Sequence, residues 1–300
     1  MLGSVLTIGN FDGVHAGHRL LLRRVVELAR EHDLKPKVLT FDPHPTRVVA
    51  PERAPRLLTT VAERVALIHE QGVEDVVVLP FTTAIAQLTP EEFVERIVVG
   101  DLHARIVMVG DNFRFGHKQA GDVKALSLLG ERLGFQTHVV DAVHRRGRMI
   151  SSSAIRRLIE AGNVAMAARL LERPYSLAGE VVSGHGIGSK ETVPTLNLDT
   201  PAEVIPANGV YITRTRDLET ADRWNSITNV GTRPTFDGEG LTIETFLLSS
   251  FDGLTPGRIS VEFCRRVREE RKFESPEALK QQIFRDVSRA QTFFRRLGLH

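Results

Sequence analysis

The sequence predicts an α/β domain with a doubly wound parallel sheet, followed by a small antiparallel β-barrel with a terminal helix. Up to about residue 172, short runs that are apolar throughout alternate with helical patterns, which is typical of strands covered on both faces. From residue 175 onward, short candidate strands follow one another and are separated by turn sequences such as Asn208-Gly209. We therefore expect two domains, residues 1–172 and residues 175–300.

The first domain contains five candidate strands that alternate with four candidate helices. The strands are predicted at residues 5–8, 37–41, 76–79, 106–109 and 137–140. The helices, in which apolar residues recur every three or four positions, are predicted at residues 19–30, 61–71, 91–98 and 123–133. Right-handed crossovers place ligands beyond the carboxyl ends of such strands, and the distinctive motifs of this half follow strand ends. Residues 151–156 begin a further helix that ends at Gly162-Asn163, and a shorter helix runs to about Glu172.

The second domain contains candidate strands without helices between them. They are predicted at residues 179–182, 209–213, 226–230, 241–248 and 258–263. The end of the chain differs, because Ser275-Pro276-Glu277 combines a capping serine with proline at the first helical position. This signal predicts a helix that runs to about Leu297.

The composition excludes several classes of protein. A net charge of +2 over 300 residues does not indicate a nucleic-acid or membrane-surface binder. The single cysteine, Cys264, excludes an internal disulfide and a multi-cysteine metal site, and it fits a reducing cytoplasm. Since no apolar run approaches the roughly 20 residues of a membrane span and no signal-peptide pattern is present, we expect a cytoplasmic protein.

The most distinctive motif follows the first strand, where residues 9–18 read GNFDGVHAGH. We call residues 9–13 the glycine turn. A tight turn before a helix exposes backbone N–H groups that bind phosphate, and His15 and His18 share one face of the first helical turn. Two imidazole donors there suit the charge that develops during phosphoryl or nucleotidyl transfer. Two alternatives stay open: zinc binding, for which no convincing third ligand is near, and helix capping by the histidines.

This run resembles the signature of the HxGH nucleotidylyltransferase superfamily, and its wording resembles the N-terminal module of bacterial bifunctional riboflavin kinase/FAD synthetases. Further motifs of that family follow in order at residues 40–45, 79–81, 110–116 and 150–156. The resemblance covers essentially the whole chain. It implies adenylyl transfer from ATP to FMN, which gives FAD and pyrophosphate, with Mg²⁺ on the triphosphate.

The chemistry of these motifs, weighed against the family, suggests individual roles. His15, His18 and Arg156 are the expected catalytic residues, which contact the ATP phosphates and stabilise the transition state. Packing in the hydrophobic core is the open alternative for each aromatic residue. The expected nucleotide-binding and flavin-binding residues are Gly9, Asn10, Phe11, Asp12, Gly13, Phe41, Pro43, Asn112, Phe113, Arg114, Phe115 and Ser152.

The second half contains a glycine-rich segment that ends in Pro194-Thr195-Leu196-Asn197. It does not match a P-loop, because Gly188 is not followed directly by lysine and no strand-to-helix context surrounds it. Its end resembles the Pro-Thr-x-Asn motif of the riboflavin kinase module. Thr195 and Asn197 fall on one face of a strand, where they can complete the oxygen shell of ATP-bound Mg²⁺. Gly188 and Lys190 are the expected phosphate-binding residues of this loop.

Residues 229–236 and 241–246 also resemble that kinase, in which a glutamate at the position of Glu244 is the general base for the 5′-hydroxyl of riboflavin. Two departures from the family stand out. The glycine loop lacks the usual Gly-Arg-x-Leu-Gly-Phe wording, and Phe246 stands where histidine is usual. The resemblance implies a bifunctional enzyme that makes FMN from riboflavin and FAD from FMN. The alternative is a monofunctional FAD synthetase with an inactive or flavin-sensing barrel.

Basic residues near the carboxyl end of the chain allow a third interpretation, nucleic-acid binding. The acidic residues interleaved with them favour a solvated, salt-bridged surface instead. The basic residues are Arg265, Arg266, Arg268, Arg271, Lys272, Arg285, Arg289, Arg295 and Arg296. We expect riboflavin, FMN and ATP as the small-molecule partners, flavoproteins as acceptors of FAD, and neither nucleic acid nor a membrane.

Overall fold

The structure is a computed structural model, in which residues 3–141, 144–145, 148–182, 195–235, 238–249 and 255–298 are described. Its contacts divide the chain into two compact units, of which the first ends at Ser152 and the second begins at Ser153. The predicted boundary between residues 172 and 175 stays a prediction. Among the helices in the described ranges, none combines the length and the apolar character that crossing a membrane requires.

The first unit contains a five-stranded parallel sheet, as predicted. The strand order is β3-β2-β1-β4-β5, so the chain proceeds outward from β1 to one edge and then returns to continue on the other side. Such a reversal opens a crevice outside the carboxyl ends of the central strands. The strands are β1 (Ser4–Ile8), β2 (Lys35–Asp42), β3 (Asp75–Pro80), β4 (Ala104–Gly110) and β5 (Gln136–Val140). A separate strand pair, β6 (His144–Arg145) and β7 (Arg148–Met149), follows.

Helices cover both faces of this sheet, which explains why the central strand β1 is buried along its whole length. The α-helices are α1 (Ala16–Glu31), α2 (Pro45–Val49), α3 (Val61–His69), α4 (Thr83–Ala86), α5 (Pro90–Phe93) and α6 (Val123–Leu133). The helix predicted at residues 91–98 begins as α5 but continues as a π-helix, Val94–Asp101. Two short 3₁₀-helices occur at Pro51–Arg53 and His117–Gln119.

The second unit contains a closed six-stranded barrel with the strand order β10-β11-β12-β9-β8-β13, and all of its strand pairs are antiparallel. This confirms the predicted barrel. The strands are β8 (Tyr175–Val182), β9 (Thr195–Asp199), β10 (Gly209–Asp217), β11 (Arg223–Thr235), β12 (Gly238–Leu247) and β13 (Arg258–Arg268). The helices of this unit are α7 (Ser152–Glu160), whose first residue is the last of the first unit, α8 (Val164–Leu171) and α9 (Pro276–Arg296).

The terminal helix α9 begins where the sequence predicts, with the Ser275 hydroxyl accepting the N–H of Ala278. It docks on the outside of the barrel through apolar residues such as Phe294. A buried carboxylate reinforces the contact, because Asp286 accepts hydrogen bonds of 2.8 Å from Arg268 Nε and from Gln282 Nε2. Arg268, one of the basic residues for which nucleic-acid binding was an alternative, therefore helps to dock α9 on the barrel.

The barrel interior contains a chain of five hydroxyl groups, and each of these side chains is completely buried. Four hydrogen bonds of 2.8 to 2.9 Å link Thr215, Ser226, Thr213, Thr228 and Thr245 in that order. A hydroxyl can donate a hydrogen bond to one neighbour and accept one from another. A small core can therefore enclose these groups while each keeps a hydrogen-bond partner. The Thr228–Thr245 bond crosses from β11 to β12 and so helps to fix the pairing of those strands.

We expect Thr213→Val to destabilise the barrel more than Thr215→Val. Thr213 stands inside the hydroxyl chain, and its loss removes two bonds, whereas Thr215 stands at one end and makes a single bond within the chain. Leaving buried hydroxyls with fewer partners costs about 1–3 kcal/mol. Urea unfolding of both variants measures the difference in the free energy of unfolding. Equal decreases in the free energy of unfolding of the two variants would contradict the proposed order of the hydroxyl groups.

Candidate active sites

The glycine turn connects the carboxyl end of β1 to α1 through an unusually tight backbone. Gly13 has a φ of 77°, and two residues with side chains, Phe11 and Val14, also have positive φ angles of 49° and 38°. A positive φ is unfavourable for a bulky or β-branched residue and persists only where the surrounding structure enforces it. Phe11 and Val14 are both buried and pack in one apolar cluster, which supplies that enforcement.

Asp12 ties this turn to the segment before α3. Its Oδ1 oxygen accepts the N–H groups of Leu58 at 2.9 Å and of Thr59 at 3.2 Å. The Thr59 hydroxyl in turn accepts the N–H of Gly13 at 3.1 Å, and Ser152 donates its hydroxyl to the Asp12 carbonyl at 2.9 Å. Asp12 and Ser152, both predicted to bind nucleotide, therefore hold the turn through these bonds.

His15 is the N-cap of α1. Its Nδ1 nitrogen accepts the N–H of His18 at 3.3 Å, so that nitrogen carries a lone pair and the proton of the neutral ring lies on Nε2. The two imidazoles stack with centroids 3.6 Å apart and planes 14° from parallel, and Phe11 meets His18 edge-on at 5.1 Å. Of the open alternatives, capping is confirmed for His15. It leaves Nε2 available as a donor.

The pKa of His18 lies well below its ordinary value, chiefly because burial disfavours the charged ring. Repulsion from His15 and from Arg64 lowers the pKa further. His18 is therefore neutral at pH 7. Within the described ranges, no group of three or more His, Cys, Asp or Glu side chains could hold a metal ion.

The aromatic residues predicted to bind flavin lie mostly in the core of the first unit. Phe41 is buried and meets Phe81 edge-on at 5.5 Å, while Phe115 is buried and stacks with Phe113 at 5.5 Å. Phe113 is only partly buried and packs against the same core. Core packing therefore accounts for Phe41 and Phe115, and a contact with flavin stays a prediction for all of these residues.

The polar residues of the other strand-end motifs lie at the surface. Asn112 and Arg114 are exposed beyond the end of β4, and Arg114 donates to the carbonyl oxygen of Phe113 at 3.0 Å. Pro43 is also exposed, just after β2, while Asn10 is partly buried in the glycine turn. All four stand at the carboxyl end of the sheet, where a nucleotide would bind.

Arg156 lies on α7, four residues after Ser152. Its Nη1 atom donates to the Ser153 hydroxyl at 3.3 Å. The predicted role of Arg156 at the triphosphate stays a prediction.

The second candidate site is a row of polar side chains across three neighbouring strands of the barrel. Glu244 on β12 is paired with Asn197 on β9 and with Asn229 on β11. Residues paired directly across an antiparallel ladder share a face of the sheet. Because Thr245 on one side of Glu244 is buried in the barrel, Glu244 and its two partners belong to the outer face. Thr195 lies two residues before Asn197, on that same face.

The donor set of this row fits Mg²⁺. Hydroxyl and amide oxygens from Thr195 and Asn197 are hard ligands, and a divalent cation that arrives with ATP keeps phosphate and water oxygens in its remaining positions. Gly188 and Lys190, the other expected phosphate-binding residues, lie outside the described residues.

Two residues of the candidate sites or their surroundings were not predicted from the sequence. Asn229 falls in a motif that the resemblance singles out, and only the strand pairing places it beside Glu244. Arg64 lies in an amphipathic helix, where sequence alone indicates a surface position, yet its side chain is 1% exposed. A strictly buried arginine has no sequence signal of its own.

Comparison with known proteins assigns each half of the chain to a family. Residues 2–154 match the family model described as FAD synthetase, and residues 171–294 match the one described as riboflavin kinase. The two matches follow one another without overlap, and the glycine turn lies in the first whereas Thr195, Asn197 and Glu244 lie in the second.

Curated relatives and a solved structure match over nearly the whole chain. The bifunctional riboflavin kinase/FMN adenylyltransferase of Escherichia coli (strain K12) is 36% identical over 292 residues, which cover 97% of this chain and 93% of the relative. The protein of the same name from Pseudomonas fluorescens is 37% identical over 290 residues, covering 96% and 92%. A crystal structure described as a macrolide-efflux protein from Streptococcus pneumoniae superposes with a TM-score of 0.87 at 28% identity, covering 96% of this chain and 94% of that one.

Two family models in tandem, and relatives that span both, agree with the two candidate sites. The chain belongs to the family of bifunctional riboflavin kinases/FMN adenylyltransferases.

Proposed function

We propose that the barrel unit phosphorylates riboflavin to FMN and that the parallel-sheet unit adenylylates FMN to FAD, so that the chain is a bifunctional enzyme of FAD biosynthesis. The observation that carries this proposal is the tandem of two family matches, of which the first contains His15 and His18 and the second contains Glu244. The barrel also retains Thr195, Asn197 and Glu244, which favours an active kinase over the monofunctional alternative.

In adenylyl transfer, a phosphate oxygen of FMN attacks the α-phosphorus of ATP. The new P–O bond forms as the bond to the bridging oxygen breaks, and pyrophosphate leaves with that electron pair. No side chain has to act as a nucleophile, so the protein contributes position and charge stabilisation. The Nε2–H of His15 and the neutral ring of His18 provide donors for the phosphate oxygens, beside the N-terminus of α1.

The remaining residues of the first site divide into two groups in this proposal. Phe11 and Asp12 shape the glycine turn, which brings Asn10 to the phosphates, while the N–H groups of Gly9 and Gly13 hold the turn through Leu39 and Thr59. Ligand contacts beyond the phosphates come from the exposed ends of the other motifs. We assign them to Pro43, Asn112, Phe113 and Arg114, behind which Phe41 and Phe115 pack in the core. Ser152 holds the glycine turn through the Asp12 carbonyl, and Arg156 contacts the triphosphate.

In the kinase reaction, Glu244 accepts the proton of the riboflavin 5′-hydroxyl while that oxygen attacks the γ-phosphorus of ATP, and ADP leaves. Thr195 and Asn197 would hold Mg²⁺ on the row beside Glu244. When bound, Mg²⁺ neutralises charge on the phosphate oxygens. Asn229, on the other side of Glu244, orients either the carboxylate or the substrate hydroxyl through its amide.

We place both reactions in the cytoplasm, with ATP, riboflavin and FMN as substrates and flavoproteins as acceptors of the FAD that is released. The single free thiol of Cys264 is compatible with a reducing compartment. Burial raises the pKa of this thiol to about 11, so little of the reactive thiolate is present at neutral pH.

We expect His18→Ala to lower the rate of FAD formation from FMN and ATP by on the order of 10²-fold, because a transition-state donor is lost. Arg156→Ala should lower it similarly. FMN formation from riboflavin should be unchanged, since it occurs at the other site. His32→Ala, an exposed histidine at the other end of α1, is the matched control. Chromatographic assays of both products measure the rates, and unchanged FAD synthesis in His18→Ala would refute the first site.

Glu244→Gln should abolish most of the riboflavin kinase activity, because an amide cannot take the substrate proton; general-base loss typically costs about 10²–10⁴-fold. Supplied FMN should still be converted to FAD at the normal rate. Glu180→Gln, an exposed glutamate on β8, provides the control. FMN formation that survives the Glu244 substitution would remove this residue from the mechanism, and wild-type protein that makes no FMN would support the monofunctional alternative.

A further inference from the structure

A positive charge is enclosed in the first unit close to the candidate adenylyl transfer site. Arg64 on α3 is 1% exposed, and burying a guanidinium is costly unless it is well partnered. Its Nη1 atom donates to the Thr40 hydroxyl at 3.2 Å and to the Phe41 carbonyl at 3.1 Å. Burial lowers the pKa of Arg64, and the carboxylates of Asp12 and Asp42 oppose this effect, so the guanidinium stays charged.

The hydrogen bonds of Arg64 lead directly to the glycine turn. The Thr40 hydroxyl accepts from Arg64 and donates its own proton to the Asn10 carbonyl at 3.3 Å. A hydroxyl has one proton to give, so the bond from Arg64 leaves that proton for Asn10. The glycine turn thus has a second link to its surroundings, through the Asn10 carbonyl, in addition to the one that Asp12 makes with Leu58 and Thr59.

The same charge acts on His18. Electrostatic repulsion between Arg64 and a protonated His18 adds to the effects of burial and of His15 in lowering the pKa of this ring. The buried Nδ1 atom of His18 has no hydrogen-bond partner among the described residues, and neither does the Nε–H of Arg64. A buried N–H without an acceptor is tolerated less well than a buried lone pair without a donor, which favours the proton of the neutral ring on Nε2.

We propose that Arg64 is a positioning residue for adenylyl transfer: its guanidinium holds the glycine turn through Thr40 and, as a fixed charge near His18, leaves that ring as a neutral Nε2–H donor. His15 takes the same tautomer through its capping bond, so both imidazoles present an Nε2–H. The catalytic part of this inference rests on the proposed function, whereas the protonation of His18 does not.

The titration of His18 tests the electrostatic part in the full-length protein without substrates. We expect ¹⁵N-detected imidazole spectra of the wild type to show His18 still neutral, with the proton on Nε2, at pH values below the ordinary imidazole pKa. In Arg64→Met, which keeps the bulk of the side chain without its charge, the pKa should rise toward the ordinary value of about 6.5. Arg24→Met, which removes an exposed charge from α1, the helix that contains His18, should leave the titration unchanged. An equal His18 pKa in wild type and Arg64→Met overturns the proposal.

Kinetics test the positioning part. Thr40→Val keeps the charge and breaks the link to Asn10, so kcat for FAD formation should fall about 10-fold or more at unchanged KM for ATP, with the His18 titration unaffected. Riboflavin kinase activity should stay normal. A normal kcat in Thr40→Val overturns the positioning role. If Arg64→Met does not fold, Arg64→Lys decides: we expect a low His18 pKa with a reduced kcat, and a normal kcat contradicts the proposal.

The two tests separate this inference from the proposed function. If His18→Ala leaves FAD synthesis intact, the proposed function of the first site fails, while the His18 titration still reports on Arg64. If His18→Ala abolishes FAD synthesis but Arg64→Met leaves the titration and kcat unchanged, the proposed function stands and the role of Arg64 fails.

Discussion

The buried carboxylate of Asp12 is the contact on which the first site depends. It joins the glycine turn to residues 58–59 by accepting two backbone N–H groups, so the donors are main-chain atoms whose positions the fold fixes. Positive φ angles at Phe11 and Val14 show that the turn has a backbone conformation that is unfavourable for these residues and that the surrounding structure must enforce. Pre-organisation of this kind places donors before the ligand arrives, so that less ordering remains for the binding step.

Helix capping and the proposed catalytic role use the same histidine. His15 satisfies an N–H at the start of α1 with Nδ1, and this bond fixes which nitrogen of the neutral ring carries a proton. The sequence left capping and a catalytic role as alternatives for His15. In the structure the capping bond occupies Nδ1 and leaves the Nε2–H of the neutral ring as the donor. The stacked, neutral pair of imidazoles avoids the repulsion that two charged rings 3.6 Å apart would suffer.

The sequence predicted the elements that depend on local pattern. Uninterrupted apolar runs identified the parallel strands, and Ser275 with Pro276 located the start of α9. Features that depend on distant contacts could not be predicted. The continuation of α5 as a π-helix does not change the spacing of apolar residues. The burial of Arg64 depends on hydrogen-bond partners from other segments. Phe41 lies in the core because it packs against Phe81, which directly follows β3. Residue types indicated which chemistry was available, and only packing showed which side chains were already in use.

The second site depends on strand register rather than on a turn. Since side chains alternate between the two faces of a strand, a shift of one residue between β11 and β12 would turn Glu244 into the barrel and bring Thr245 to the surface. The hydroxyl chain opposes that shift, because the Thr228–Thr245 bond forms only in the observed register, one residue away from the Asn229–Glu244 pair. An apolar interior would tolerate a slipped register more easily than one in which buried hydroxyls lose their partners. The polar core of the barrel therefore contributes to specificity, because it keeps the proposed base on the outer face beside Asn197.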